Sequence, residues 1–178
     1  MIKKILTIPG YGGSGKGHWQ TIWESEDSAI IRVEQDDWDK PQLEQWVDRL
    51  DSYINKDEHY ILVGHSLACA LISHWASKHN TSAIIGALLV APADVDSPMH
   101  TPEEIRNFMP MPLKKLPFKS IVVASDNDPY VSFERAKFFA DAWGSRIINF
   151  GSNGHINAES ELSSWELGKK WLSELNHN

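Results

Sequence analysis

Six short apolar runs, rich in β-branched residues, punctuate the chain at 4–9, 29–33, 60–63, 84–90, 120–124 and 146–150. Each has the length and near-continuous hydrophobicity of a strand buried on both faces. Helical patterns lie between them. The clearest runs from Gln42 to Ile54, where Leu43, Trp46, Val47, Leu50, Tyr53 and Ile54 recur at three- and four-residue steps along one face. Residues 66–78 and 133–143 read similarly, and residues 161–175 close the chain with Leu162, Trp165 and Leu172 on one side. Such alternation predicts βαβ units: a doubly wound α/β fold with a mostly parallel six-stranded sheet and helices on both faces. The 178 residues are expected to form one domain, 1–178. In these sheets ligands bind beyond the carboxyl ends of the strands, so the residues just after each strand are the candidates for chemistry. Only the Pro- and Met-rich stretch from Asp94 to Pro117 reads as long and irregular.

Charge and composition narrow the function classes. Seventeen Lys and Arg face 24 Asp and Glu, a net charge of −7, with no basic stripe, so nucleic acid is not an expected partner. The longest apolar run, 83–93, is too short to span a membrane, and the basic start Met1-Ile2-Lys3-Lys4 is not followed by the apolar core of a signal peptide. A cytoplasmic protein acting on a small molecule, without membrane association, is the expectation. The one cysteine, Cys69, allows no internal disulfide and reads as a small buried hydrophobe. His18, His59, His74, His79, His100 and His177 read as surface or loop residues, and no metal-ligand spacing links them.

After the first run comes Gly10-Tyr11-Gly12-Gly13-Ser14-Gly15-Lys16-Gly17, which supports three functional readings. Gly10, Gly12 and Gly15 fit the dinucleotide fingerprint, with Glu34 downstream for a ribose. Gly10, Gly15 and Lys16 nearly fit a phosphate-binding P-loop, but Gly17 lacks the hydroxyl that would hold magnesium. In the third reading the loop needs no phosphate and turns a backbone N–H toward a neighbouring site, as half of an oxyanion hole. Turn flexibility alone is the bland alternative.

A second motif weighs between them. Ile61-Leu62-Val63-Gly64-His65-Ser66-Leu67-Ala68 is an apolar strand running through Gly-x-Ser-x-Ala into a helix. A nucleophile elbow has this context: a sharp turn exposes the serine, and small residues two before and two after it let strand and helix pass closely. The competing reading is a serine that merely caps a helix. A reactive serine needs a base, and the base needs a carboxylate to fix its tautomer. Asp126 and Asp128 follow the fifth strand, and His155 follows the sixth. Ser66, either aspartate and His155 therefore occur in the order this elbow fold uses. Spacing does not separate Asp126 from Asp128. His65, beside the serine, is expected to be a neighbour of the site and not its base.

The motifs Pro9-Gly10-Tyr11-Gly12, His18-Trp19, Gly64-His65-Ser66-Leu67, Ala91-Pro92-Ala93-Asp94, Asp126-Asn127-Asp128-Pro129 and Gly154-His155-Ile156-Asn157 span nearly the whole chain. With them it resembles the retinoblastoma-binding-protein-9-like serine hydrolases, small α/β hydrolases without a large lid domain. The resemblance implies Ser66 as nucleophile, Asp128 as acid and His155 as base. The expected activity is hydrolysis of small carboxylic esters, or amides more slowly, through an acyl-enzyme, with no metal or cofactor. The Tyr11 and Leu67 amides would form the oxyanion hole. Gly10, Gly12, His65, Met99 and Met109 are the expected substrate-binding residues, with the Met-rich segment as an apolar wall and Trp19 and Trp38 as lining or core. A nucleotide-binding protein using Gly10 to Lys16, and a non-catalytic protein-interaction module on a hydrolase scaffold, are the alternatives.

Overall fold

The computed structural model describes residues 3–176. His177 and the first two residues of the basic start lie outside them. Six strands form one all-parallel sheet: β1 (Lys3–Ile8), β2 (Ile30–Arg32), β3 (His59–His65), β4 (Ile84–Val90), β5 (Lys119–Ala124) and β6 (Arg146–Asn149). Their spatial order is β2-β1-β3-β4-β5-β6. The order reverses between β1 and β3, so the loops leaving these two neighbours diverge and open a crevice at their carboxyl ends.

Side chains alternate across the sheet and build two cores. Tyr60, Leu62, Ala87, Leu89, Val122 and Ala124 face one cluster, while Ile61, Val63, Leu88, Val90, Ile121 and Val123 face the other. The first is closed by helices α2 (Leu43–Ser52), α3 (Leu67–Lys78) and α4 (Phe133–Trp143). The second is closed by α1 (Trp19–Glu26) and α5 (Glu166–Glu174). α1 follows the glycine loop with no long apolar periodicity of its own. Its buried Trp19, Gln20 and Trp23 set its position, and the Gln20 amide donates to the carbonyls of Ile8 (3.2 Å) and Val63 (3.0 Å), joining β1 to β3 near their ends.

The final helix is shorter than its periodicity suggests. Residues 158–160 form a 3-10 turn, and Glu161, Ser163 and Trp165 take left-handed backbone angles before α5 begins. The cause is tertiary: that turn carries the Trp165 indole into a cluster with Trp19, Trp23, Phe150 and Trp171, with ring centroids 4.8 to 5.9 Å from it. Gly168 makes room, since a Cβ there would meet the indole at 2.3 Å.

Between β4 and β5 a 3-10 helix (Glu103–Phe108) replaces a crossover α-helix, so there is no large lid domain. This segment is pinned at several points. The Asp94 carboxylate forms a two-pronged pair with Arg135 at 2.7 and 3.0 Å, the Asp96 carboxylate accepts from the Met111 N–H (2.9 Å), and Phe108 and Met111 are buried in the core. His74 is correspondingly no surface residue: it is buried on α3, and its Nε2–H donates to the Phe108 carbonyl at 2.7 Å. No helix among the described residues is long and apolar enough to cross a membrane.

Candidate active site

Ser66 ends the turn between β3 and α3 with φ 58° and ψ −118°, a backbone region in which non-glycine residues are rare. The turn is held by the Ser66 N–H donating to the Val90 carbonyl (2.9 Å) and by the close fit of Gly64, where a Cβ would come 2.7 Å from Ile72. Ser66 stands at the N-cap position, yet its side chain caps nothing. Its Oγ lies 2.8 Å from His155 Nε2, so the hydroxyl is turned toward the imidazole and the capping reading fails.

His155 Nδ1 in turn lies 3.0 and 2.8 Å from the two carboxylate oxygens of Asp128, whose side chain is fully shielded from solvent. The Tyr130 N–H also donates to that carboxylate, at 2.8 Å. Asp126 does other work: exposed, it accepts from the Asn149 side-chain amide (2.8 Å), joining the loops after β5 and β6. The same loops are stitched by Ser125, whose Oγ accepts from the Asn153 N–H at 2.9 Å, and by Asn127, whose Oδ1 accepts from the Gly154 N–H at 2.7 Å. Beyond His155, the Trp19 Nε1–H donates to the Ile156 carbonyl at 2.8 Å.

Two further histidines border this line. His65 is buried, and its Nε2–H donates to the His155 carbonyl at 2.9 Å. Burial, with His155 and His18 nearby, pushes its pKa well below the ordinary value, so it stays neutral. His18, expected on the surface, is instead 4% exposed and packs edge-on against His65 with centroids 4.7 Å apart. It caps α1, accepting the Gln20 N–H on Nδ1. Burial first, then Arg32 and His155, lower its pKa to about 4. Cys69 is buried as expected, and burial raises its thiol pKa.

A cavity of about 310 Å³ opens over Ser66. The glycine loop and the cap of α1 contribute Tyr11, Gly13, Gly15 and His18, and the segment after β4 adds Ala93, His100, Thr101, Pro102 and Ile105. Opposite stand Tyr130, His155, Asn157 and Glu159. Among the expected substrate-binding residues only His65 lines it. Gly10 lies beneath the site, packed so closely that a Cβ would come 2.8 Å from the His65 carbonyl and 3.1 Å from the Leu67 nitrogen. Gly12 (φ 75°) turns the loop outward, its N–H donating to the Trp38 carbonyl at 2.9 Å. Met99 and Met109 project into solvent, 85% and 52% exposed, because the 3-10 helix directs Ile105 and Phe108 inward instead. Trp19 is core, and Trp38 packs half-buried against Gly13 and Trp46. Tyr130, whose ring meets His155 at 4.6 Å, carried no motif signal in the sequence beyond following Asp128-Pro129.

The phosphate readings of the glycine loop find little support in its geometry. The Gly12 and Gly13 N–H groups are spent on the carbonyls of Trp38 and Gly10. A Cβ on Gly15 would meet open space, whereas the third glycine of a dinucleotide fingerprint serves close helix–strand packing. No group of three or more potential ligands for a metal ion occurs among the described residues.

Comparison with known proteins accords with this architecture. Among solved structures, a protein described as a YdeN-like hydrolase from Pectobacterium atrosepticum is 32% identical with a TM-score of 0.84, over 97% of this chain and 90% of that one. The ydeN gene product of B. subtilis superposes with a TM-score of 0.75 at 19% identity, over 97% of this chain and 98% of its own. Est1E from Butyrivibrio proteoclasticus shares the α/β-hydrolase fold at 12% identity, with a TM-score of 0.72 over 98% of this chain and 89% of that one. Comparison with the curated proteins gave no match. A sequence profile described as serine hydrolase matches residues 5–174, and the chain belongs to that family.

Proposed function

We propose that the protein hydrolyses small carboxylic esters through an acyl-enzyme on Ser66. The observation that carries this reading is the continuous hydrogen-bonded line from Ser66 Oγ through His155 to the shielded Asp128 carboxylate. His155 Nε2 takes the hydroxyl proton as Oγ attacks the ester carbonyl, and Asp128 holds the Nδ1–H tautomer and stabilises the imidazolium that forms. His155 then gives the proton to the departing alkoxide. Water enters, loses its proton to the same nitrogen and attacks the acyl carbon, and Ser66 leaves with the proton returned. The oxyanion of each tetrahedral intermediate accepts from the Leu67 and Tyr11 amides. The contact between Gly10 and the elbow favours that pairing, and one such donor is worth about 2.7–4 kcal/mol of barrier.

The cavity favours short substrates. Its lining carries tyrosines, histidines, Asn157 and Glu159 but no Lys or Arg, which suits neutral esters better than anionic ones. The likeness to retinoblastoma-binding-protein-9-like hydrolases supports the same assignment of Ser66, Asp128 and His155. A fluorophosphonate probe with mass mapping of the adduct tests the reading. Labelling at Ser66 that vanishes in Ser66→Ala and falls sharply in His155→Ala is expected; folded protein that resists the probe refutes it.

A further inference from the structure

His18 combines its place as the cap of α1 with two features that capping does not explain. Its Nδ1 accepts the Gln20 N–H at 3.2 Å, which requires that nitrogen to be unprotonated and places the proton of the neutral ring on Nε2. That Nε2–H is buried and has no hydrogen-bond partner, although buried donors are almost always paired. His18 is also one of the residues that line the cavity over Ser66. Four other buried side-chain atoms among the described residues lack a hydrogen-bond partner, on Gln35, His59, Arg106 and Trp165, and none of these residues lines that cavity.

The cap itself would be better served by Ser, Thr, Asn or Asp, all preferred N-cap residues. An imidazole here adds only the second nitrogen, directed away from the cap. Its edge-on contact with His65 does not replace a hydrogen bond, since N–H···π contacts are second-order. A lone N–H donor asks for an oxygen or nitrogen acceptor. With Glu159 on the same lining and no Lys or Arg to balance a charge, a neutral acceptor fits better than a carboxylate.

We propose that His18 is a specificity residue whose Nε2–H donates to an acceptor oxygen of the substrate other than the scissile carbonyl. The preferred substrates are then short neutral esters bearing an ether, hydroxyl or carbonyl oxygen close to the ester bond. This rests on the esterase reading and narrows it. Its energetic basis is an asymmetry: a site with a buried donor discriminates against ligands that leave the donor unpaired.

The test compares p-nitrophenyl methoxyacetate with p-nitrophenyl butyrate, a pair of similar length that differs by one ether oxygen. The intrinsic reactivity of the two esters cancels when the ratio of their kcat/KM values is compared between the native protein and His18→Asn, which keeps a capping oxygen. The ratio is expected to fall about tenfold in the variant. A ratio unchanged by the substitution, or equal loss on both esters, overturns the proposal while leaving the esterase reading intact. A second measurement leaves His18 in place. In 15N-histidine-labelled Ser66→Ala protein, ethyl methoxyacetate should move the His18 Nε2–H resonance downfield and ethyl butyrate should not. Identical responses to the two esters overturn the proposal, whether or not the native protein proves to be an esterase.

Discussion

Gly10 occupies the tightest backbone contact near Ser66. An added methyl group would sit 2.8 Å from the His65 carbonyl and 3.0 Å from Ser66 Cβ, so the loop would have to back away from the elbow. Gly10→Ala is expected to cost about 1–3 kcal/mol of stability by urea denaturation. It should also lower kcat/KM on an aryl ester by about 100-fold, because small displacements of reacting groups are that costly. The two aspartates separate as sharply. Asp128→Asn should lower kcat by about 10⁴-fold through the wrong histidine tautomer. Asp126→Asn keeps an acceptor for Asn149, and steady-state kinetics should show it near the native rate. The sequence offered both residues as the acid, and the resemblance implied Asp128, the carboxylate that the structure sets against the His155 imidazole. Spacing alone could not, since both follow β5 and only the fold of the β6 loop decides which carboxylate meets the imidazole. The same limit hid His18 and His74: periodicity says nothing about a polar side chain whose burial comes from contacts far along the chain.

At the scale of elements, the His155 loop is held from two sides. On one side Ser125 and Asn127 stitch it to the β5 loop; on the other α1 reaches over with Trp19, whose indole N–H holds the carbonyl next to His155. Trp19→Phe keeps most of the packing and removes that bond. It should lower the melting stability by about 1 kcal/mol and reduce kcat with little change in KM, which esterase kinetics on purified variant would show. The strands were legible because burial on both faces writes itself as continuous apolar runs. α1 was not, since its eight residues show only a weak apolar face and depend on two tryptophans and a buried glutamine. The start of α5 departs from its pattern for the opposite reason: Leu162 and Trp165 keep helical spacing, but packing of the Trp165 indole turns the backbone left-handed.

For the whole molecule, three buried histidines couple folding to pH. Burial lowers the pKa of His18, His65 and His74, so between about 4 and 6.5 the unfolded chain binds protons that the folded His18 does not. This contribution to stability is full above about pH 6.5 and is lost as pH falls toward 4, with His18 alone contributing on the order of 3 kcal/mol across that window. Melting temperatures measured across this range should fall with pH, and His18→Asn should flatten the slope. A site beyond the carboxyl ends of the strands was foreseeable from the strand–helix alternation, whereas its place at the β1/β3 reversal and its cavity wall were not, because strand order is set by tertiary packing and the segment after β4 has no periodicity from which to tell which of its residues turn inward. Ser66 should carry the acyl group during turnover. Acid-quenching the protein within milliseconds of mixing with excess p-nitrophenyl acetate, followed by peptide mass spectrometry, reads this out. An acetyl group is expected on the Ser66 peptide, formed with a burst of p-nitrophenolate and absent in Ser66→Ala. Steady ester hydrolysis with no adduct on that peptide, and equal turnover by Ser66→Ala, would contradict it.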